Sequence, residues 1–443
     1  MLHRLPTFKG GVHLPGHKHL TRDKPVRRAR APRIAVLLML QHSGAECRPL
    51  VGPGDLVWLG QKVGDSDQLI SAPIHSPVSG RVVAVEPRLH PAMGREVTAV
   101  IVESDGKDQV HESVRPAPDP GSALPEQIIR AVREAGIVGL GGAGFPTHVK
   151  LGSSADRPRD LFILNGTECE PFLTGDLRLM IEEPFRILRG AVLLMKAAGI
   201  ERGVVAIDRN KPEAIKTMRR EVARFPDIEV VVVAARYPHG GEKQLIEAIT
   251  GRQAPPPPGL PSDVGVLVNN VQTAFATSKA VEDGMPLVER VLTVSGRVRD
   301  PANLLVRIGT PFEDVIEECG GFEDQVAKVL MGGPMTGLSQ PTLCAPVVKG
   351  TSGLIALAEE DTLFGESSKC VRCGRCVDVC PVRILPVWIA AYADRGDFGQ
   401  ARKLHAITCI ECGSCSYICP ARLPLLDSIK LAKIEIAKHP AGR

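Results

Sequence analysis

"GLGGAGFPTHVKL", residues 139–151, decides how the middle of this chain is read. Gly139, Gly141 and Gly144 stand in the spacing G-x-G-x-x-G, the fingerprint of a dinucleotide-binding loop. That fingerprint requires a strand before the glycines and a helix directly after them. Here the preceding segment, "PEQIIRAVREAG", puts Ile128, Ile129 and Val132 on one face and ends on a glycine, which predicts a helix with its stop signal. Pro146 follows Gly144 by two residues. The order is wrong for a Rossmann unit. What survives is that a run of glycines lets backbone N–H groups approach a phosphate or a flat ring closely, and a close-packed turn needs such a run equally well.

Outward from the loop, "DLFILN", "GVVAID" and "IEVVVVAA" are short apolar runs of buried-strand type. The helical stretches "FRILRGAVLLMKAAG" and "KPEAIKTMRREVARF" separate them, and this alternation predicts an α/β unit with a mainly parallel sheet. "APPPPGLPS" follows as a stiff, extended segment. Before the loop, residues 34–102 hold closely spaced β-branched runs with turn residues between them, the pattern of a small all-β unit, and "PDPGSALP" makes a linker. The first 33 residues are basic, with His13, His17, Lys18, His19, Arg22, Lys24, Arg27, Arg28, Arg30 and Arg33. They are expected to form a solvated or loosely docked arm, the sharper alternative being contact with anionic lipid headgroups. From about residue 287, "RVLTVSGRV", "NLLVRIGTPFEDVIEECGG" and "KVLMGGPMTG" predict a compact α+β module.

A chain of 443 residues implies about three domains. The composition, 44% hydrophobic and 23% charged, is globular, while a net charge of +4 and 4% aromatic residues give no support to nucleic-acid binding. No apolar run reaches the roughly 20 residues of a membrane span. The first residues lack the apolar stretch of a signal peptide, so a cytoplasmic protein is expected.

Eight of the 12 cysteines crowd into residues 370–419. "CVRCGRCVDVCP" supplies Cys370, Cys373, Cys376 and Cys380, and "CIECGSCSYICP" repeats the pattern at Cys409, Cys412, Cys415 and Cys419. A doubled C-x2-C-x2-C-x3-C-P run is the bacterial ferredoxin signature for two [4Fe-4S] clusters. Three cysteines on one tight loop reach three iron corners, and the fourth thiolate comes from the other run. Cys370, Cys373, Cys376 and Cys419 are therefore expected to hold one cluster, and Cys409, Cys412, Cys415 and Cys380 the other. Tetrahedral zinc leaves the third cysteine of each run without a use. Three of the remaining cysteines, Cys47, Cys169, Cys319 and Cys344, are expected to be small buried residues.

The blocks "GLGGAGFPTHVK", "NGTECEP" followed by Asp176, "GGEKQLIEAITGR" and "NNVQT" together resemble the flavin and NADH site of the flavoprotein subunit of respiratory complex I, in the same order along the chain. The resemblance implies that Gly139, Gly141, Gly142, Ala143 and Gly144 wrap FMN and that Lys150 neutralises its phosphate. It places Asn165 and Asp176 in hydrogen bonds to the flavin and Asn270 against it. Phe145, Glu168, Glu170 and Glu242 would line the nicotinamide side. The sequence departs from the pattern at Thr167 and Lys243.

Over nearly its whole length the chain resembles the C subunit of the Rnf (Rsx) electron transport complex, through "GGVHLPGHK", "LQHSGAECRPLVGPGD", "SAPIHSPVSGRVVAVEP", "PLVERVLTVSG", "MGGPMTG" and the two cysteine runs. The implied fold is multidomain α/β and α+β. It comprises the arm (residues 1–33), a lipoyl-like barrel-sandwich (34–115), an FMN- and NADH-binding α/β domain (122–270), a soluble-ligand-binding β-grasp module (285–356) and a dicluster ferredoxin domain with a C-terminal helix (360–443). No lysine sits in the "SAPIHSPVSG" turn where a carrier would be lipoylated, so a scaffold role is expected there. The sequence stops at Arg443 without the Ala- and Lys-rich extension of many such subunits.

The implied function is electron transfer between NADH, FMN and two clusters in ferredoxin:NAD oxidoreduction coupled to ion transport. The expected partners are membrane subunits of an Rnf complex, an iron–sulfur or ferredoxin-type carrier and NADH, with no nucleic acid. The expected place is the cytoplasmic side of the cell membrane, as a peripheral subunit. The alternatives are a soluble flavin and iron–sulfur reductase, resembling cobalamin reductases or amino-acid reductase partners, and a non-enzymatic relay with a dead flavin site.

Overall fold

The computed structural model describes residues 5–117, 119–152, 158–323, 325–362 and 367–439. The first four residues of the arm, Pro118 of the linker and the last four residues of the chain lie outside the described residues.

In the middle of the chain, Leu161–Asn165, Gly203–Asp208, Ile228–Val233 and Val266–Asn270 form an all-parallel sheet. Every residue of Gly203–Asp208 is buried, which is why the sequence shows a continuous apolar run and no alternation. One face of the sheet, with Phe162, Leu164, Val205, Ile207 and Leu267, packs on Pro125–Glu134, Pro184–Ala198 and Val271–Glu282. The other face, with Ile163, Val204, Ala206 and Val268, packs on Leu245 and Ile246 of Glu242–Thr250. The strand order is Ile228–Val233, Gly203–Asp208, Leu161–Asn165, Val266–Asn270. The chain thus leaves Leu161–Asn165 in one direction and returns on its other side, so the sheet has a switch point between Leu161–Asn165 and Val266–Asn270. The helix Val271–Glu282 belongs to this layer, so the domain runs past the expected limit at residue 270.

The barrel-sandwich expectation holds. Ile34–Leu38, Glu96–Ser104, Gly80–Leu89 and Leu56–Val57 form one antiparallel sheet, and Arg48–Pro49, Lys62–Asp65 and Ile74–His75 a second. Ala35, Leu37, Val63, Ile74, Val100 and Val102 fill the space between them. Residues 71–80, where a lipoyl carrier would expose its turn, are buried throughout.

The β-grasp module holds a six-stranded sheet in the order Val26–Arg28, Ala302–Arg307, Glu289–Gly296, Gly353–Ala358, Val326–Met331, Leu338–Ser339. Its helix Phe312–Glu318 is anchored by Phe312, Val315 and Ile316. Gly353–Ala358 lies inside this sheet, so the module extends beyond residue 356.

The arm is not loose. Val26–Arg28 adds a parallel strand to the β-grasp sheet, and Phe8 is buried edge-on against His239. The N–H of Gly11 donates to the carbonyl of Val379 at 2.7 Å, beside Cys380, and Val12 exchanges backbone bonds with Tyr237 at 2.8 and 3.0 Å. Asn303, fully buried, accepts from Thr174 Oγ1 at 2.8 Å and Thr293 Oγ1 at 2.9 Å, and donates to the Thr21 carbonyl at 2.9 Å. One side chain thereby joins the arm, the α/β domain and the β-grasp sheet.

The cysteine region folds around Ile389, Ala390, Ala401, Ile429 and Ala432, contributed by the helices Pro386–Ala393, Phe398–Lys403 and Leu425–Lys438. Two of these helices, Pro386–Ala393 and Phe398–Lys403, fill the interval between the two runs.

Candidate functional site

Asn165 and Asn270 end adjacent strands at the switch point and stand opposite each other in register. In open α/β sheets the crevice outside the carboxyl ends of the strands at such a point is where ligands bind. A cleft of about 720 Å³ opens there. Its wall contains Leu140, Gly141, Gly142, Ala143 and Gly144 from the glycine loop, with Asn165, Glu168, Glu170, Asp176, Glu242 and Asn270. Gly139, Phe145 and Lys150, also expected at the cofactor, do not line it. The N–H of Gly139 donates to the Phe145 carbonyl at 2.9 Å, which ties the base of the loop. Lys150 Nζ lies under the cleft, bonded to Glu242 Oε1 and to the Val268 carbonyl, each at 2.6 Å.

The polar floor is a connected set. Asn270 accepts from the Gln272 N–H at 2.9 Å, capping Val271–Glu282, and donates to Asp176 Oδ2 at 2.6 Å. Gln272 Nε2 donates to Asp176 Oδ1 at 2.8 Å. Asn165 donates to the Gly240 carbonyl at 3.0 Å and accepts from Thr167 Oγ1 at 2.6 Å. A Cβ on Gly141 would lie 2.8 Å from Asn270 Nδ2, whereas a Cβ on Gly142 would meet nothing within 4 Å. The loop therefore presses on Asn270 through one glycine and presents the next to open space.

Glu168 and Glu170 are engaged within the protein. Glu168 accepts from the N–H groups of Asp176 at 2.9 Å and Leu177 at 3.3 Å, at the start of Gly175–Glu182. Glu170 accepts from the Met335 N–H at 3.0 Å and Thr336 Oγ1 at 2.6 Å, joining the α/β domain to the β-grasp loop. Desolvation pushes both carboxyls above the usual carboxylate range. It also pushes the Cys169 thiol, half-buried in the cleft wall, up to about 12. Cys47 and Cys319 are buried as expected, and Cys344 is exposed.

The cleft also draws on residues to which the sequence assigns no part in the cofactor site. Gln41, His42 and Ser43 of the barrel-sandwich close one side, with Ser43 Oγ donating to the Ala143 carbonyl at 2.6 Å. Arg290, 2% exposed, enters from the β-grasp sheet and bonds to carbonyl oxygens of Val291 at 3.3 Å, Leu140 at 3.5 Å and Lys349. Burial brings its guanidinium down to about 10, with Asp176 opposing that fall. "LQHSG", "PLVERV" and "MGGPMTG" stand out as blocks, yet nothing local marks them as walls of a distant cleft.

The cluster domain supplies the last wall through Ile410, Glu411 and Cys412 of the second run. Tyr237, also in the wall, donates its hydroxyl to the Cys412 carbonyl at 2.7 Å. Behind it lies a void of about 20 Å³ lined by Cys380, Cys409, Cys412 and Cys415. Burial raises the Cys415 thiol to about 12, and the neighbouring Cys409, Cys412 and Cys380 add to that rise. Burial likewise raises Cys376, with Cys419 adding to it. Among the described residues no three His, Cys, Asp or Glu side chains converge on a point for one metal ion.

Both implied cofactors fit the residues present. The cleft has the size of a cofactor site, roughly 300–1,000 Å³. A bare glycine faces it, and among the described residues His42 Nδ1 and Gln244 Oε1 are buried in its wall without a partner. The void of four cysteines draws one from the first run and three from the second, the crossed set a dicluster fold requires.

The fold and the site define a flavin and iron–sulfur electron-transfer protein, built of a barrel-sandwich, an α/β flavin domain, a β-grasp module and a dicluster domain. Residues 6–107 match the RnfC barrel sandwich hybrid domain, 132–279 the Nuo51 FMN-binding domain, 291–339 the SLBB domain and 363–424 the 4Fe-4S dicluster domain. The chain is 44% identical over 431 residues to the C subunit of the Na(+)-translocating ferredoxin:NAD(+) oxidoreductase complex of Acetobacterium woodii, covering 97% of each. It is 41% identical to the C subunit of the proton-translocating ferredoxin:NAD(+) oxidoreductase complex of Clostridium ljungdahlii, over 90% of this chain and 87% of that one. It is 42% identical to the C subunit of the ion-translocating oxidoreductase complex of Rhodobacter capsulatus, over all of this chain and 86% of that one. The chain belongs to this family, the C subunits of Rnf-type ion-translocating oxidoreductase complexes. An NAD+-reducing [NiFe]-hydrogenase in the H2-reduced state shares the fold, with a TM-score of 0.51 at 21% identity over 72% of this chain and 62% of that one.

Proposed function

We propose that this chain is the electron-transfer subunit through which an Rnf-type complex exchanges electrons between NADH and an iron–sulfur carrier. The observation that carries the reading is the cleft at the switch point, whose wall includes Cys412 of the second cysteine run. When bound, FMN exchanges electrons in pairs with nicotinamide and singly with iron–sulfur clusters.

The residues then take these tasks. Gly141, Gly142, Ala143 and Gly144 give the flavin a backbone surface, and Asp176, Asn165 and Asn270 hold its polar edge. Glu242 of the cleft wall and Lys150 neutralise each other, and Arg290, a buried cation whose side-chain hydrogen-bond partners among the described residues are carbonyl oxygens, is a natural counter-charge for an anionic part of the cofactor. Glu168, Glu170 and Glu242 of the cleft wall would line the nicotinamide side, and Phe145, 39% exposed and outside that wall, would have to turn toward it. Glu168 and Glu170 can do so only by sharing or giving up their present hydrogen bonds. Cys409, Cys412, Cys415 and Cys380 hold the cluster next to the cleft, and Cys370, Cys373, Cys376 and Cys419 the outer one. No described helix is long and apolar enough to cross a membrane. Because its relatives are subunits of ion-translocating complexes, the protein is proposed to sit on the cytoplasmic side of the cell membrane, held there by the other members of the complex.

Anaerobic purification, acid extraction of flavin and an NADH titration followed at flavin and cluster absorbances test the proposal. Extracted FMN together with bleaching of both absorbances by NADH is the expected result. Iron without flavin, or flavin that NADH does not reduce, would overturn it.

A further inference from the structure

The glycine loop is held from outside its own domain. Ser43 of the barrel-sandwich donates to it twice, through Oγ to the Ala143 carbonyl at 2.6 Å and through its N–H to the Gly144 carbonyl at 3.1 Å. Arg290 of the β-grasp sheet donates Nη2 to the Leu140 carbonyl at 3.5 Å. By contrast, among the described residues none of the N–H groups of residues 141–145 donates a hydrogen bond. A turn closed on itself would use those donors internally. In a planar trans peptide the carbonyl and the following N–H point in opposite directions. Ser43 and Arg290, by holding the carbonyls of Leu140, Ala143 and Gly144, therefore fix the N–H groups of Gly141, Gly144 and Phe145 facing away from themselves.

Lys349 braces both clamps. It is 1% exposed. Its N–H donates to Oε1 of Gln41, two residues before Ser43, at 3.1 Å, and its carbonyl accepts from Arg290 Nη1. Its Nζ donates to the carbonyls of Pro73 and Gly136 at 2.7 Å each. Gly136 leads into the loop at φ +66°, where a Cβ would lie 2.2 Å from the Pro73 oxygen and 2.8 Å from Lys349 Nζ. One residue thus joins the barrel-sandwich, the β-grasp module and the approach to the glycine loop at a point with no room to shift.

We propose that Ser43 and Lys349 are positioning residues of the cofactor site: Ser43 directly, and Lys349 through Gln41 and Arg290, hold the carbonyls of the glycine loop so that its free N–H groups are preset to receive the oxygen acceptors of FMN. The barrel-sandwich is then a working wall of the flavin site as well as a scaffold. The proposal rests on the flavin reading above. Donors fixed in advance need no ordering when the ligand arrives, so a lost clamp shows as lost affinity.

The test titrates FMN, followed by quenching of its fluorescence, into the flavin-free full chain kept anaerobic. The FMN dissociation constant is expected to rise about threefold to tenfold in Ser43→Ala and about tenfold or more in Lys349→Met. Ser43→Thr keeps the hydroxyl and is expected to bind within about twofold of wild type. Ser79→Ala removes another serine hydroxyl of the same domain, bonded to Asp105 at 2.6 Å and outside the cleft wall. It is expected to lower stability in denaturant while leaving FMN affinity within about twofold. Should Lys349→Met fail to fold, Ser43→Ala and Ser43→Thr, at a partly exposed position, decide alone. Wild-type affinity in Ser43→Ala or in folded Lys349→Met, an equal loss in Ser79→Ala, or no rescue by Ser43→Thr would overturn the proposal. A wild-type chain that binds no FMN would instead overturn the flavin reading, and the proposal with it.

Discussion

The glycine loop makes two neighbouring substitutions behave in opposite ways. In Gly141→Ala the new Cβ would sit 2.8 Å from Asn270 Nδ2 and 2.9 Å from its Cβ and Cγ, so Asn270 must move. Its bond to the Asp176 carboxylate, a charged hydrogen bond of about 1.5–3 kcal/mol, and its cap on Gln272, about 1 kcal/mol, are then weakened. The entropy gained by replacing glycine, about 0.4–1 kcal/mol, offsets part of this, and a net loss of about 2–3 kcal/mol is expected. In Gly142→Ala the new Cβ meets nothing within 4 Å, and the backbone is not left-handed there. The flavin-free protein should be as stable as wild type or about 0.4–1 kcal/mol more so. Its methyl group would occupy the surface proposed for the flavin, so the FMN dissociation constant is expected to rise by about tenfold or more, or about 1.4 kcal/mol. Denaturant unfolding of the flavin-free protein and quenching of FMN fluorescence measure the two quantities separately. Wild-type FMN affinity in Gly142→Ala would refute the placement of the cofactor over this loop.

Cys380→Ser is expected to halve the iron content and remove the spectrum of the cluster next to the cleft; loss confined to the outer cluster would refute crossed ligation. Lys349 is fully buried, its Nζ bonded to the carbonyls of Pro73 and Gly136 at 2.7 Å each, and burial brings its ammonium down to about 7 from an ordinary 10.5. Between those values the unfolded chain holds a proton that the folded chain has released, so stability rises with pH, by about 2–3 kcal/mol from pH 6 to pH 9, and the penalty is complete below about pH 7. Unfolding of Lys349→Met should lack that slope, and an unchanged slope would assign it to other groups. Asn303→Ala removes the acceptor of two threonine hydroxyls and the amide donor to the arm's Thr21 and Lys24 carbonyls, and is expected to cost about 2–4 kcal/mol and to open the first 33 residues to proteolysis. An arm still resistant to protease would show that its other contacts suffice.

The parts legible in the sequence are those in which local chemistry sets the pattern. Cysteine spacing is dictated by the cubane, and fully buried strands such as Gly203–Asp208 must read as apolar runs. The glycine loop can be separated from a Rossmann turn because the helix signal before it is itself local. The arm defies such a reading because Val26–Arg28 is an edge strand of mostly exposed residues, so no apolar alternation announces it. Its partner lies far away in the chain, at Asn303 to Leu305. Arg290, Gln41 and Thr336 escape notice for a related reason. A polar side chain becomes part of a cleft only when separate domains bring it there. Glu168 and Glu170 show the converse: the resemblance names them as ligands, and the structure also uses them to hold a helix start and a domain junction.

The arm's route has a consequence in time. Val26–Arg28 leaves the ribosome early, yet the strand it joins, Ala302–Arg307, is made only after most of the chain. Gly11 waits longer still, because its partner Val379 sits one residue before Cys380. During synthesis the basic arm can therefore reach its partners in the α/β domain, such as Tyr237 and His239, but cannot complete its native contacts. Its seating is completed only once the β-grasp sheet and the cysteine region exist. In the proposed crossed ligation, insertion of the cluster next to the cleft would fix residue 380, and so prepare the place where the earliest part of the chain finally docks.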